Sequence, residues 1–380
     1  PLRADPLQAR ACLFSGALDQ AAEIIQAAKA TKEHPHLVQL LATEGLVHFY
    51  RGDLTQAEAL LRESYRVGSV PEDSVDHELD ATRGNLAMVL QKAGQLDAAE
   101  TIYQESLTLA REQHNLPKQV TRLSNLGTLQ QEKGELEAAL QTYAEARTLS
   151  EVIKGEREWI YIILNRANLQ SFLGQSAQAI GDVIPAIEKC EAMGMKTEWA
   201  YLHLLLAELC LNEENPEKAR EAQGKAATLF AETSHQAGLA EALIAEAQIA
   251  VYDAQPGQAI TNATQAVKLA QSLNRPRILA QACLWQVLAS LQAPSDADPS
   301  QGLEAVSRLL QEDLRHQYPD LLWIGHAAKG ILLTREGDAE GSAHALAQAR
   351  SFADRFLKQL PGASEQSYAT LWYRRPLWNT

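Results

Sequence analysis

The chain lacks most of what would announce chemistry. Its 380 residues contain no Gly-rich phosphate loop, no HExxH, no GxSxG and no CxxC, so the common nucleotide, zinc-protease, hydrolase and thiol-redox signatures are missing. Cysteine is scarce. Cys12, Cys190, Cys210 and Cys283 lie far apart, which excludes a dense disulfide framework and fits buried thiols in a reducing compartment. The longest clear apolar run, Trp159 to Leu164, is six residues, far short of the ~20 that a membrane helix needs. Basic residues are outnumbered, 34 Lys and Arg against 48 Asp and Glu, for a formal charge of −14. Nucleic acid and anionic lipid both require a basic face, so neither is expected as a partner. The ten histidines are scattered, and the close pair His34-Pro35-His36 has no third ligand nearby, so no metal site is expected. There is no secretory leader, which points to the cytoplasm. The chain begins at Pro1 and reads as processed or as a piece of a longer one. These absences together predict neither an enzyme nor a cofactor.

What is present is a repeat. Hydrophobic residues make up 46% and charged residues 22%, an ordinary folded composition. Turns such as Lys92-Ala93-Gly94-Gln95-Leu96 and Lys133-Gly134-Glu135-Leu136 recur at Gly16, Gly52, Gly94, Gly134, Gly174, Glu214, Ala254, Ala297 and Gly337. The spacing is 40 residues five times, and 36, 42 and 43 elsewhere, giving nine units. A small residue stands seven places before each turn (Ala9, Gly45, Ala87 and so on to Gly330) and another five places after it (Ala21, Ala57, Ala99 to Ser342). Nine places after it there is usually a larger apolar side chain, with Gln223 and Ala263 as exceptions. Small residues at fixed places let two helices approach, and the bulky one fills the space beside them. Gly ends the first helix by taking the left-handed conformation. Where Gly is absent, Asn215-Pro216, Pro256 and Asp298-Pro299 offer a capping side chain or a proline suited to the first helical position. Apolar residues recur at helical spacing and never alternate with period two. The prediction is all-α: a helix–turn–helix hairpin repeated along a superhelix over residues 1–362.

A small residue, a turn Gly, an Ala five later and an aromatic nine later resemble the tetratricopeptide (TPR) repeat. The 40-residue period is similar to the long-repeat variety of kinesin light chains and bacterial regulators, and most units lack the terminal Pro and early Trp of the roughly 34-residue form. The resemblance implies a right-handed superhelical solenoid of nine hairpins whose first helices line a concave groove. At the N-terminus, the abrupt start at Asp5-Pro6 leaves the first helix without an outer neighbour, so an upstream domain is expected. At the other end the last helix is expected to stop at Leu360-Pro361-Gly362, with residues 363–380 forming a capping helix and an aromatic tail.

The family's groove residues lie about 13, 10, 9, 6 and 3 places before the turn. Nine before, Asn85, Asn125 and Asn165 follow one another in three successive units. An amide both donates and accepts, so a series of them suits the backbone of an extended segment, the use that related long-repeat proteins make of this Asn. The alternative is hydrogen bonding between neighbouring helices. Around them fall Met88, Ser124, Thr128, Gln131, Asn168 and Glu208, and thirteen before the turn stand Tyr161 and Tyr201. Trp159 and Trp199 recur in the same register and read as helix-opening core residues. The cations of a carboxylate clamp are missing from the groove positions, so the expected partner is a neutral to weakly basic protein or extended peptide, either separate or a flanking domain of the same polypeptide. Pro185, eleven residues past Gly174, predicts either a kink or a solvent-facing site. The functional expectation is a protein- or peptide-binding module, the input part of a larger bacterial signalling or transcription regulator. The alternatives are a free-standing scaffold and a sensor of a peptide or small ligand.

Overall fold

The computed structural model describes residues 6–14, 17–29, 36–68, 76–294, 297–311, 321–358 and 360. Among the described residues there are eighteen α-helices and no strand. In chain order they begin with α1 (Pro6–Phe14), α2 (Leu18–Lys29), α3 (Leu37–Tyr50), α4 (Leu54–Gly68), α5 (Asp76–Lys92) and α6 (Leu96–Glu112). Next come α7 (Leu116–Lys133), α8 (Leu136–Val152), α9 (Glu156–Phe172), α10 (Ser176–Met193), α11 (Lys196–Asn212) and α12 (Pro216–Glu232). The last are α13 (Gln236–Tyr252), α14 (Pro256–Ser272), α15 (Pro276–Gln292), α16 (Ser300–Leu309), α17 (Leu321–Glu336) and α18 (Ala339–Leu357). The chain divides into two compact units, residues 1–133 with 148–153, and residues 134–147 with 154–380.

Local chemistry sets the helix ends. Gly52, Gly94, Gly134, Gly174 and Gly337 all take positive φ, between 73° and 89°, at the expected turns. Glu214 and Ala254 adopt the same left-handed turn at φ 56° and 55° without being glycine, and the helices after them start on Pro216 and Pro256. Asn215 caps α12 by accepting from the Lys218 N–H at 3.2 Å. Halfway between these turns stands a second left-handed series, His114, Lys154, Gly194, Ser234 and Asn274, at φ 50–66°. From Gly94 to Asn274 the structural period is therefore twenty residues, each helix in that stretch closed by the same backbone device.

Two places differ from expectation. At the α15–α16 junction, Ala293 leaves the helix extended (φ −59°, ψ 150°), and α16 begins at Ser300 instead of Pro299. Asp298 reaches past the proline to accept from the Ser300 N–H at 2.9 Å and its hydroxyl at 2.6 Å. At the C-terminus, α18 ends at Leu357, three residues before Leu360. The expected turn at Gly16, the start at Asp5 and residues 363–380 lie outside the described residues.

The small-residue rule has a direct steric cause. A Cβ on Gly45 would stand 2.9 Å from Leu61 Cγ, and one on Gly330 would stand 2.6 Å from Leu346 Cδ2. The residue seven before the turn thus faces the bulky residue nine after it. Ala21, Ala57, Ala99, Ala139, Ala179, Ala219 and Ala259 are all fully buried. Gln223, where an apolar residue was expected, is buried and donates to the Ala242 carbonyl (3.3 Å) and Glu246 Oε1 (3.0 Å). Pro185 is exposed, and α10 runs from Ser176 through it to Met193.

Within each unit the odd-numbered helices pack on one another: α1 on α3 and α3 on α5 in the first, α9 on α11, α13, α15 and α17 in succession in the second. Among the described residues no two even-numbered helices pack comparably. A stack more tightly spaced in one layer curves towards that layer, so the first helices of the hairpins form the inner face of each unit. In the second unit the Phe172 ring at the end of α9 also meets Phe356 near the end of α18, edge to face at 6.0 Å.

Candidate functional site

In the first unit, α5 and α7 present the inner-face residues singled out above. They are tied together by a buried charge cluster. Asp80 on α5 receives Arg122 (3.0 Å) and Lys118 (3.3 Å) from α7, the Ser106 hydroxyl at 2.9 Å, and its carbonyl accepts from Arg122 at 3.1 Å. Burial alone would raise the Asp80 carboxyl, but the charge of Arg122, the Ser106 and Arg122 hydrogen bonds and the Lys118 charge together hold it below its usual value. With the two helices fixed, Asn85 and Asn125 are each half-buried, and neither makes a side-chain hydrogen bond among the described residues. Ser124 and Gln131 are likewise half-buried without a side-chain bond. Thr128 turns back on its own helix and donates to the Ser124 carbonyl at 3.1 Å. Met88 leans on the apolar core of α1 to α3 and so serves packing.

In the second unit, Asn165 on α9 repeats the pattern: half-buried and unbonded. Asn168 is exposed and donates to the Leu164 carbonyl of its own helix at 2.7 Å. Tyr161 is 44% exposed; its hydroxyl donates to Glu198 Oε1 of the next hairpin at 2.6 Å, which, with burial, pushes its pKa up to about 12. Tyr201 points into the stack, with its ring 5.0 Å from Phe230 and 5.8 Å from His235, and burial raises its pKa strongly. Glu208 is occupied by the Ser171 hydroxyl at 2.5 Å. Trp159 is buried in the α9–α11 core and Trp199 packs against the same core and against that around Phe230. Of the second unit's residues, Asn165 and the rim of Tyr161 remain available to a partner.

One inner-face residue went unnoticed in the sequence. Glu241, thirteen places before Ala254, holds the register of Tyr161 and Tyr201. Burial pushes its carboxyl up to about 7 against the opposing pull of Arg277 and Arg275. Its place in the repeat was the available signal. The thiols of Cys190 and Cys283 are both pushed up to about 11, chiefly by burial, and that of Cys210 is raised for the same cause; such thiols are poor nucleophiles. Among the described residues no group of three or more His, Cys, Asp or Glu could hold a metal ion, and no helix is long and apolar enough to cross a membrane.

Comparison with known proteins bears on the repeat and the fold. A tetratricopeptide repeat family model matches residues 78–151, which include Asn85 and Asn125. No curated protein sequence matches the chain. Among solved structures, the chain is similar to a Rap protein complexed with competence and sporulation factor, at 13% identity, over 93% of this chain and 98% of that one, with a TM-score of 0.63. It is similar to the apo form of RapI at 11% identity, over 93% and 97% of the two chains, with a TM-score of 0.63. A signal transduction ATPase with numerous domains from Pyrococcus horikoshii, carrying a tetratricopeptide repeat sensor, matches at 13% identity over 95% of this chain and 55% of that one, with a TM-score of 0.53. At such identities the likeness speaks for the fold. Residues 78–151 are thus matched as tetratricopeptide repeats, and over more than nine-tenths of its length the chain shares the helical-solenoid fold of the Rap structures.

Proposed function

We propose that the protein binds an extended peptide or protein segment along the inner face of its first helices, as the input module of a signalling or transcription regulator. The observation that carries this reading is the state of the three asparagines. A half-buried amide that bonds its neighbours would be a packing device, whereas Asn85, Asn125 and Asn165 keep both donor and acceptor unused among the described residues. Within the first unit, adjacent helices lie ~8–10 Å apart, and an extended chain rises ~3.3 Å per residue, so Asn85 and Asn125 would meet a peptide backbone about three residues apart. The places 13, 10, 9, 6 and 3 before the turns at Gly94, Gly134 and Gly174 hold no Lys or Arg, and the chain carries a formal charge of −14, so a neutral or weakly basic segment suits it best. The Rap and ATPase-sensor neighbours support a regulatory setting over a passive scaffold, and the Rap complex gives a neighbour of this fold with a bound factor.

Affinity capture from source-cell lysate, read by mass spectrometry, tests the proposal. The protein is compared with an Asn85→Ala, Asn125→Ala double variant and, separately, with Asn165→Ala. At about 1 kcal/mol per net hydrogen bond, the double variant should hold its partner on the order of 10–100-fold more weakly. Equal capture by all three would overturn the reading.

A further inference from the structure

Outside the inner face, a pocket of about 320 Å³ opens between α10 and α12 over one face of α11. Its size is that of a small-ligand site, for which ~300 Å³ is the lower end. The walls are apolar: Ile180 and Ile184 from α10, Leu206 from α11 and Ala222 from α12. Ile184 is 46% exposed, an unusual state for an isoleucine inside a helix.

An unpartnered imidazole is set among them, with the Cys210 thiol and the Asn215 side chain also on the lining. His203, on α11, lines the pocket and is only 5% exposed, and its Nδ1 is buried with no hydrogen-bond partner. The imidazole stacks obliquely on Trp199, 5.9 Å between centroids. Burial, helped by Lys225 and opposed by Glu221, pushes its pKa down to about 4, so the ring is neutral at pH 7. At the mouth, two lysines (Lys218, Lys225) face two glutamates (Glu213, Glu221), and Lys225 pairs with Glu221 at 2.8 Å. A neutral imidazole below a mouth whose charges cancel discriminates against an anion and against a cation alike. The apolar walls reward hydrocarbon burial, and a buried ring nitrogen without a partner rewards a group that hydrogen-bonds it. We propose that this pocket binds an uncharged amphipathic group, an apolar body bearing one hydroxyl that hydrogen-bonds His203, as a phenol does. A hydroxyl both donates and accepts, so it suits either tautomer of the ring. The group is either the tyrosine side chain of a partner protein or a free small phenol.

The full chain, labelled with ¹⁵N-histidine, is titrated with p-cresol, with toluene and with N-acetyl-tyrosinamide, following the His203 ring nitrogens by long-range proton–nitrogen NMR. p-Cresol should shift them saturably and bind roughly 10-fold or more tighter than toluene, which has the same body without the hydroxyl. In His203→Leu that preference should collapse to near unity, read by competition against the Trp fluorescence. Ile184→Asp, on an exposed wall where folding is not at stake, should weaken p-cresol at least several-fold. It decides the matter if His203→Leu proves unfolded by circular dichroism. No saturable shift, equal binding of toluene and p-cresol, or p-cresol binding unchanged by Ile184→Asp would overturn the proposal. Tighter binding of N-acetyl-tyrosinamide than of p-cresol assigns the pocket to a partner's tyrosine, and its exclusion assigns it to a free phenol.

Discussion

Asp80 on α5 and Arg122 on α7, 42 residues apart in sequence, meet at 3.0 Å with both side chains no more than 10% exposed. The pair fixes the spacing of the two helices that carry Asn85 and Asn125. A buried pair is costly to break, because the surviving charge stays buried alone. Asp80→Asn should therefore destabilise the protein by roughly 3 kcal/mol at pH 7, measured by denaturant unfolding. Because the Asp80 pKa is lowered on folding, its contribution is complete above the unfolded value of about 3.9 and fades as pH falls through the folded one. The gap between protein and variant should close in acid; a gap that persists there would assign the effect to packing.

The asparagines should behave in the opposite way. Asn85→Ala and Asn125→Ala remove no hydrogen bond among the described residues, so each should change stability by no more than about 0.5 kcal/mol. A large fall in melting temperature would show that the amides serve the fold and not a partner.

Gly238 stands where no larger residue fits: a Cβ there would lie 2.2 Å from Phe230 Cδ1. Phe230 is fully buried and stacked on His235 at 5.5 Å, so it has nowhere to move. Gly238→Ala should cost about 1–3 kcal/mol through overpacking, despite the better helix propensity of alanine.

The turns give a paired prediction. Gly94 (φ 77°) and Ala254 (φ 55°) occupy equivalent left-handed positions, and a Cβ there is disfavoured by roughly 1–2 kcal/mol. Gly94→Ala should lower stability. Ala254→Gly should raise it by up to about 1 kcal/mol, the relief of strain exceeding the added freedom of the unfolded chain. Differential scanning calorimetry of the two variants checks both signs.

His203 and the half-buried Glu241 should give the second unit opposite pH responses. His203 is pushed down to about 4, so the stability it supports is complete above its unfolded value of about 6.5 and is lost as pH falls towards 4. Glu221, Glu213, Lys218 and Lys225 surround it at the pocket, and Trp199 packs on it. Glu241 is pushed up to about 7, so its contribution is complete below about 4.3 and is lost as pH rises through 7. Glu241→Gln should accordingly raise the melting temperature at pH 8 and leave it unchanged near pH 4. An unchanged melting temperature at both values would show that Glu241 is well solvated.

How much of this was legible beforehand depended on how local the cause was. Gly52, Gly94 and Gly174 announce their turns because their φ suits a residue without a Cβ, and Ala99 or Gly45 announces a close helix approach because nothing larger fits. The second left-handed series stayed hidden, since His114, Lys154 and Ser234 adopt positive φ with no compositional mark. Among the candidate site residues, register placed Asn85, Asn125 and Asn165 correctly on first helices but did not reveal whether their amides were already used. Tyr201 illustrates the limit: it shares its place in the repeat with the exposed Tyr161, yet the rings of Phe230 on α12 and of His235 at the start of α13 pack against it. His203 was beyond reach, because its pocket exists only once α10 and α12 are laid on either side of α11.

The edge-to-face contact of Phe172 with Phe356 has a consequence for how the second unit comes apart. In a linear array each repeat answers only to its neighbours, so unfolding spreads from the ends and terminal hairpins are lost first. The ring contact between α9 and α18 ties the two ends of that sequence of helices together, turning a chain of dominoes into a hoop. Cutting the hoop at either ring, for instance with Phe356→Ala, should convert one sharp melting transition into a gradual fraying that hydrogen exchange would follow from α18 inward.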